Sequence, residues 1–290
     1  MQSWPGLEPF GRRVALPKPG LSLFVYELGA ADAPAMLLIH GLGDEADTWR
    51  HVLQPLAARY HVVALDLPGF GRSDQPQRIY SLAFLRDSLV ALLDALGISS
   101  AALMGNSLGA MLAQTIALEY PARVRELILV DGTLTTRAQK LNPVILQMAL
   151  PFLGERLYNG FRGNPQAAYD SLRPYYAHLN ALSEADRQFL YQRVNERVWS
   201  DGQRRAYLSV LRQLIVSAPL RQRNWETRLA QLKTPTQAVW GGMDRINSLE
   251  SARALLSVQP TAQLAVIPGA GHLPHQEKPK EFLQAVGVLP

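Results

Sequence analysis

Short apolar runs alternate with helix-length amphipathic stretches up to residue 131, and that rhythm leaves few architectures open. "MLLIH" (36–40) follows Pro34. "YHVVALD" (60–66) runs into the Gly- and Pro-rich loop "LPGFGRSD". "AALMG" (101–105) and "ELILVDG" (126–132) complete the series of strand-like runs. Between them, "SLAFLRDSLVALLDALG" (81–97) has apolar residues at helical spacing and stops at Gly97, a C-cap signal. "SLGAMLAQTIALEYP" (107–121) reads as a helix ended before Pro121. Strand and helix in this order predict a parallel sheet with helices on both faces. "LSLFVYELG" (21–29) alternates in part and predicts an edge strand in an antiparallel N-terminal hairpin.

The rhythm stops after residue 133. Residues 134–228 are helical in pattern, rich in Arg and Tyr, with turns at "LGE", "GNP" and "SDG". Strand and loop return at "TPTQAVWGGMD" (234–244). "SLESARALLSVQP" then reads as a helix, "AQLAVIPGAGH" as a last strand and loop, and "HQEKPKEFLQAVGVL" as one closing helix. The expected organisation is an α/β core formed by 1–133 and 229–290, interrupted by an all-helical cap at 134–228. Within the cap, "PVILQMALPFLGERLY" is apolar enough to form a greasy lid or simply to pack the cap on the core.

With 290 residues the chain can bury roughly three quarters of its unfolded surface, so the core needs no staples. There is no cysteine, which excludes disulfides, thiolate metal sites and a cysteine nucleophile. The net charge of +5 comes from arginines dispersed among acids, without a run of five like charges, so no nucleic-acid-binding stripe is expected. The N-terminal "MQSWPGLEPFGRR" lacks a basic segment followed by an apolar one, and no signal peptide is expected. No apolar run approaches the roughly 20 residues of a membrane span. The default expectation is a cytoplasmic protein acting on a small molecule; composition does not specify its oligomeric state.

The chemistry centres on "LMGNSLGA" (103–110), where Ser107 stands between Gly105 and Gly109. An apolar strand leads into Gly105 and a helix follows the serine. A nucleophile elbow requires that strand–turn–helix order. The turn is too tight for large flanking side chains, and glycine removes the clash. The alternative is a plain glycine-rich turn with Ser107 capping the helix.

A serine hydroxyl needs a base to become a nucleophile, and the base needs an acid to orient it. "GAGHLPHQEKP" places His272 after the last strand, and "WGGMDRI" places Asp244 after the strand before it. Both fall at C-terminal strand ends, where open α/β sheets build their sites. His275 is the neighbouring rival to His272. Asp131, at the end of "LILVDG", is the rival to Asp244. The fuller loop signature favours Asp244 and leaves Asp131 as a turn residue. Asp66 is expected to hold its own loop by short-range hydrogen bonds.

An oxyanion hole would take the backbone N–H of Leu108 and one from "HGLGD" (40–44), with Leu42 preferred over Gly43. Gly41, Gly43, Asn106 and Trp49 are candidate pocket or pocket-supporting residues. His40 is read as structural. The set needs neither a metal nor an organic cofactor.

"LLIHGLGDEADTW", "VVALDLPGFGRSD", "MGNSLGA", "WGGMDRI" and "GAGHLPHQEKP" together resemble the α/β-hydrolase fold superfamily, over about 21–133 and 232–287. The resemblance implies a mainly parallel eight-stranded sheet, with a variable helical cap after the sixth strand that covers the serine. Haloalkane dehalogenases and epoxide hydrolases carry aspartate at the elbow, so Ser107 argues against both. "GNSLGA" is similar to the elbow of ring-cleavage carbon–carbon hydrolases. The chain departs from that group: "HGLGDEADTW" lacks the G-P-G loop, and "GHLPH" lacks the aromatic residue after the histidine.

The leading expectation is a carboxylic ester hydrolase of small to medium apolar acyl or aromatic substrates. The alternatives are a carbon–carbon hydrolase of ring-cleavage diketones, a cofactor-free acyltransferase or haloperoxidase-like enzyme, and a binding protein that kept the fold. Fold alone does not choose among them.

Overall fold

The computed structural model describes residues 1–135 and 143–289, with no side chains described for 216–223. Eight strands form one sheet: β1 (Gly11–Leu16), β2 (Leu21–Leu28), β3 (Ala35–Ile39), β4 (His61–Leu65), β5 (Ala101–Asn106), β6 (Val124–Val130), β7 (Thr236–Gly241) and β8 (Gln263–Ile267). Their order is β1-β2-β4-β3-β5-β6-β7-β8. From β4 to β8 every pair is parallel, while β1–β2 and β2–β4 are antiparallel.

The expected N-terminal hairpin is present, but 21–29 is not its edge. β2 lies between β1 and β4, and β1 is the outer strand. The sequence "GRRVAL" hides this strand, because its first three residues stay partly or fully exposed. Lining an edge with arginine also discourages pairing with a second chain.

Successive side chains of a strand point to opposite faces, and both faces here are buried. In β3, Leu37 and Ile39 join one core while Met36 and Leu38 join the other. In β5 the same split separates Leu103 from Met104, and in β6 Leu129 from Val130. Fully burying each such side chain contributes roughly 1.5–3 kcal/mol. The helices α1 (Leu53–Ala57), α2 (Leu82–Ala95) and α3 (Leu108–Glu119) cover the sheet. α2 starts where the Ser81 side chain accepts the Phe84 N–H. Leu85, Leu89 and Leu92 of α2 enter the first core, with Leu112 and Ile116 of α3. Leu53 and Leu56 of α1 enter the second.

Between β6 and β7 the described chain is helical: α4 (Pro143–Ala149), α5 (Leu153–Gly160), α6 (Pro165–Asp170), α7 (Glu184–Trp199) and α8 (Asp201–Leu229), with short 3-10 turns. Its own core gathers Tyr158, Tyr169, Tyr176, Leu190 and Val194, and Leu273 from the loop after β8 joins them. The apolar stretch over α4 and α5 is largely turned outward. Phe152, at φ 63, is 89% exposed.

α9 (Leu249–Val258) follows β7, and two short helices, α10 (Pro274–Glu277) and α11 (Pro279–Ala285), close the chain. The single closing helix expected from the pattern is therefore broken. Pro279 supplies no N–H and starts a new helix at its first position. Among the described residues no helix is long and apolar enough to cross a membrane.

Candidate active site

β5 ends at Asn106, and α3 begins at Leu108. Ser107 alone makes the turn between them, with φ 53 and ψ −112. A non-glycine residue in that region is strained and is kept there only by surrounding structure. The structure supplies that support at close range. A Cβ on Gly105 would sit 2.2 Å from the Gly109 carbonyl carbon, and one on Gly109 would sit 2.1 Å from the Ile39 carbonyl oxygen. Ser107 N–H donates to the Val130 carbonyl at 2.9 Å. Gly132, just after β6, completes the packing: a Cβ there would lie 2.4 Å from the Ser107 carbonyl oxygen.

His272 and Asp244 come from loops after β8 and β7, and they meet. His272 Nδ1 bonds Asp244 Oδ2 at 2.8 Å, with both side chains almost fully buried. The second Asp244 oxygen accepts the N–H groups of Ile246 (2.7 Å) and Asn247 (3.0 Å). Asn106 ties this loop to the elbow: its side-chain amide donates to the carbonyls of His272 (3.1 Å) and Val130 (3.3 Å). The helical insertion also holds the histidine, since His272 N–H donates to the Tyr175 carbonyl at 2.8 Å. The Tyr175 ring lies 5.9 Å from the imidazole, centroid to centroid.

Asp131, the rival acid, is in the same place. Its carboxyl oxygen, an Asp244 oxygen and a His272 ring nitrogen all lie within 4.8 Å of one another. Asp131 Oδ1 accepts the Gly241 N–H at 2.8 Å. Burial, then the neighbouring Asp244, pushes its carboxyl well above the usual range. These three groups could geometrically share a cation, but the imidazole nitrogen facing them is already engaged with Asp244.

The loop after β3 approaches the serine. A Cβ on Gly41 would lie 3.4 Å from Ser107 Cβ and 3.0 Å from Asn106 Oδ1. Leu42 and Gly43 follow at once, and a Cβ on Gly43 would lie 3.1 Å from the Tyr207 ring. Leu108 heads α3, so its N–H has no acceptor within the helix. His40 uses both ring nitrogens: Nδ1–H donates to the Gly41 carbonyl at 2.7 Å, and Nε2 accepts the Leu67 N–H at 2.9 Å. Burial lowers its pKa, and a neutral ring with both nitrogens committed shapes the loop.

Two candidate pocket-lining or pocket-supporting residues lie inside the protein. Trp49 is wholly buried and tilts over His275 with ring centroids 4.3 Å apart, so it props the site from inside the core. Asn106 is equally buried and spends its amide on the two carbonyls named above. His275 is buried too, bonded to Thr48 Oγ1 at 3.0 Å. Asp66 holds its own loop through Arg72, whose backbone N–H donates to Oδ2 at 2.7 Å. It also reaches further, accepting the Ala46 N–H at 2.7 Å.

The insertion and the loop after β3 are joined by ion pairs. Arg197 donates to Asp44 at 2.6 Å, and Arg193 Nε lies 2.9 Å from Glu45 Oε1. Burial opposes the charge on Asp44, but Arg197 outweighs it and holds the carboxyl below its usual range.

Residues 34–279 match the family model described as alpha/beta hydrolase fold. The chain belongs to that family. It is a hydrolase of the α/β fold. It is 31% identical over 278 residues to a 2-hydroxy-6-oxo-6-phenylhexa-2,4-dienoate hydrolase of Burkholderia cepacia, covering 93% of this chain and 92% of the relative. Among solved structures it is similar to wild-type Cfl2 from Burkholderia cenocepacia, with a TM-score of 0.82, 26% identity and coverage of 96% and 94%. It is also similar to a membrane phospholipase A described as a bacterial virulence factor, with a TM-score of 0.74, 27% identity and coverage of 96% and 84%.

Proposed function

We propose that this hydrolase is a serine carboxylic ester hydrolase acting through an acyl-enzyme on small to medium apolar or aromatic esters. The observation that carries the reading is the buried 2.8 Å bond between His272 and Asp244, on a loop tied by Asn106 to the strained Ser107 turn. His272 takes the Ser107 proton as the hydroxyl attacks the ester carbonyl. Asp244 fixes the imidazole and stabilises its charged form. The N–H groups of Leu108 and Leu42 receive the oxyanion; one such donor is worth about 3–4 kcal/mol. His272 then protonates the leaving alcohol. A water that it deprotonates releases the acid.

The substrate class is supported by what faces the site. Tyr175 lies beside the imidazole, Tyr207 against Gly43, and Tyr158 5.6 Å from Tyr207 between ring centroids. Tyr175 and Tyr207 offer ring faces suited to an acyl chain or aryl group, and Tyr158 backs Tyr207 from the insertion's own core.

A second reading, a carbon–carbon hydrolase of a vinylogous diketone, is favoured by the 31% identity to the dienoate hydrolase. A dienoate carries a carboxylate, and a site for it wants an uncommitted cation. The arginines that the insertion brings to the loop after β3, Arg193 and Arg197, are instead paired with Glu45 and Asp44. That pairing supports the neutral ester.

The test is a fluorophosphonate label followed by turnover on graded acyl esters and one diketone acid. The ester reading expects labelling at Ser107 and faster ester turnover. A loss of about 10⁴-fold or more is expected in Ser107→Ala. Faster diketone cleavage would replace it with the second reading, and an unlabelled folded protein would remove both.

A further inference from the structure

Asp131 is an acid that the triad does not use, yet it sits against the triad acid. It follows β6 at φ 48 and is wholly buried. Its backbone is fixed on both sides: its N–H donates to the Val239 carbonyl at 3.0 Å, and its carbonyl accepts the Asn247 amide at 2.7 Å. Oδ1 accepts the Gly241 N–H. Oδ2 is buried with no N–H or hydroxyl donor. Oxygens of the two carboxyls lie within 4.8 Å of each other.

Two buried carboxyls this close cannot both ionise, so one keeps a proton. Hydrogen bonds to the ionised form decide which one. Asp244 receives three donors, from Ile246, Asn247 and His272. Asp131 receives one. The charge therefore belongs on Asp244 and the proton on Asp131. The other acid facing Asp131 is Glu277, whose negative charge works in the same direction.

We propose that Asp131 is a neutral carboxylic acid whose O–H donates to Asp244, making it a positioning residue for the triad acid and a reserve acid for His272. In the intact protein no proton leaves Asp131. When Asp244 is replaced by a neutral residue, the repulsion that kept Asp131 protonated is gone. Asp131 then loses its proton to solvent and stands within reach of the imidazole. This rests on the Ser107–His272–Asp244 reading given above.

The experiment combines infrared spectroscopy at neutral pH with turnover of a short-chain p-nitrophenyl ester. The carbonyl band of a neutral carboxylic acid is expected in the intact protein and is expected to be weaker by one acid's intensity in Asp131→Asn. That readout does not depend on turnover, so it still judges Asp131 if ester hydrolysis itself fails. In kinetics, Asp131→Asn is expected to lose only a few-fold in kcat, because its amide N–H still donates to Asp244. Asp131→Val, which cannot donate, is expected to lose about 10²-fold. Asp244→Asn is expected to retain activity that rises with pH as Asp131 ionises. The Asp131→Asn/Asp244→Asn pair is expected to lose that residue and its pH dependence, approaching a 10⁴-fold loss overall, on the order seen when a triad acid is replaced by its amide. Circular dichroism checks that each variant is folded.

The proposal is overturned if Asp131→Asn leaves the neutral-acid band undiminished, or if Asp244→Asn is already as inactive as the double variant. It is also overturned if Asp131→Asn is as inactive as Ser107→Ala, which would make Asp131 the ionised partner.

Discussion

Glu45 and Arg193 meet in the interior, Oε1 to Nε at 2.9 Å, with each side chain only 1% exposed. One comes from the loop after β3 and the other from α7, so the pair rivets the insertion to the sheet. Burial raises the pKa of Glu45, with Arg197 and Arg193 opposing that rise. A buried pair gives little net stability, but removing one partner strands the other. Arg197 still lies 3.3 Å from Glu45, so Arg193→Met is expected to cost less than the roughly 3–5 kcal/mol of a fully stranded charge in urea unfolding, and Arg193→Met/Glu45→Gln to recover much of that loss. Equal midpoints for the single and double variants would show that the pair is not the reason for the loss.

His275 yields a pH prediction. Burial, the largest cause, pushes its pKa down to about 3 from an ordinary 6.5, against Asp44 and with help from Arg50, His272 and His51. The unfolded chain therefore binds this proton at higher pH than the folded one does. Stability falls as pH drops below about 6.5 and the effect levels off near pH 3, at most about 5 kcal/mol in all. Between pH 7 and pH 4 the unfolding midpoint of His275→Gln should decline less than that of the parent. Parallel declines would mean the histidine is not the acid-sensitive group.

Gly109→Ala places its Cβ 2.1 Å from the Ile39 carbonyl oxygen, against backbone that cannot swing aside. Gly97→Ala meets nothing within 4 Å and suffers only from its positive φ of 69. The first should cost at least 1–3 kcal/mol and most of the activity. The second should cost about 1 kcal/mol and leave turnover near the parent value. Thermal melts beside ester turnover separate the two.

Tyr207 should tune acyl choice through its contact with Gly43. Tyr207→Leu is expected to raise the ratio of kcat/KM for long over short acyl esters by about 10-fold, the scale of one or two methylene groups in an apolar pocket. An unchanged ratio would place the acyl group elsewhere.

Much of the fold was readable because sheet and helix periods are local. Leu37 and Met36 occupy opposite cores for no reason beyond their adjacency in a strand. What escaped was set by neighbours distant in sequence. β2 looks like an edge because its alternation is partial; only the pairing of Val14 with Leu23 reveals a further strand outside it. Pro279 splits α10 from α11 although the apolar spacing runs on across it. Ser107, His272 and Asp244 announced themselves through loop chemistry. That Asp131 stands beside Asp244 rather than competing from afar follows from β6 and β7 being parallel neighbours. Asn247 and Gly132 carried no sequence signal beyond sitting next to stronger ones. The carbonyl of Tyr175 carried none, because a backbone contact leaves no trace in residue type.

That carbonyl has an architectural consequence. His272 hangs by its own N–H from Tyr175, and a Cβ on Gly271 would lie 2.5 Å from the Ala177 nitrogen. The helical insertion is thus part of the bearing on which the imidazole turns. A chimera that borrows another relative's insertion would have to import this short backbone splice intact, whatever side chains it brings, or leave His272 without a mooring.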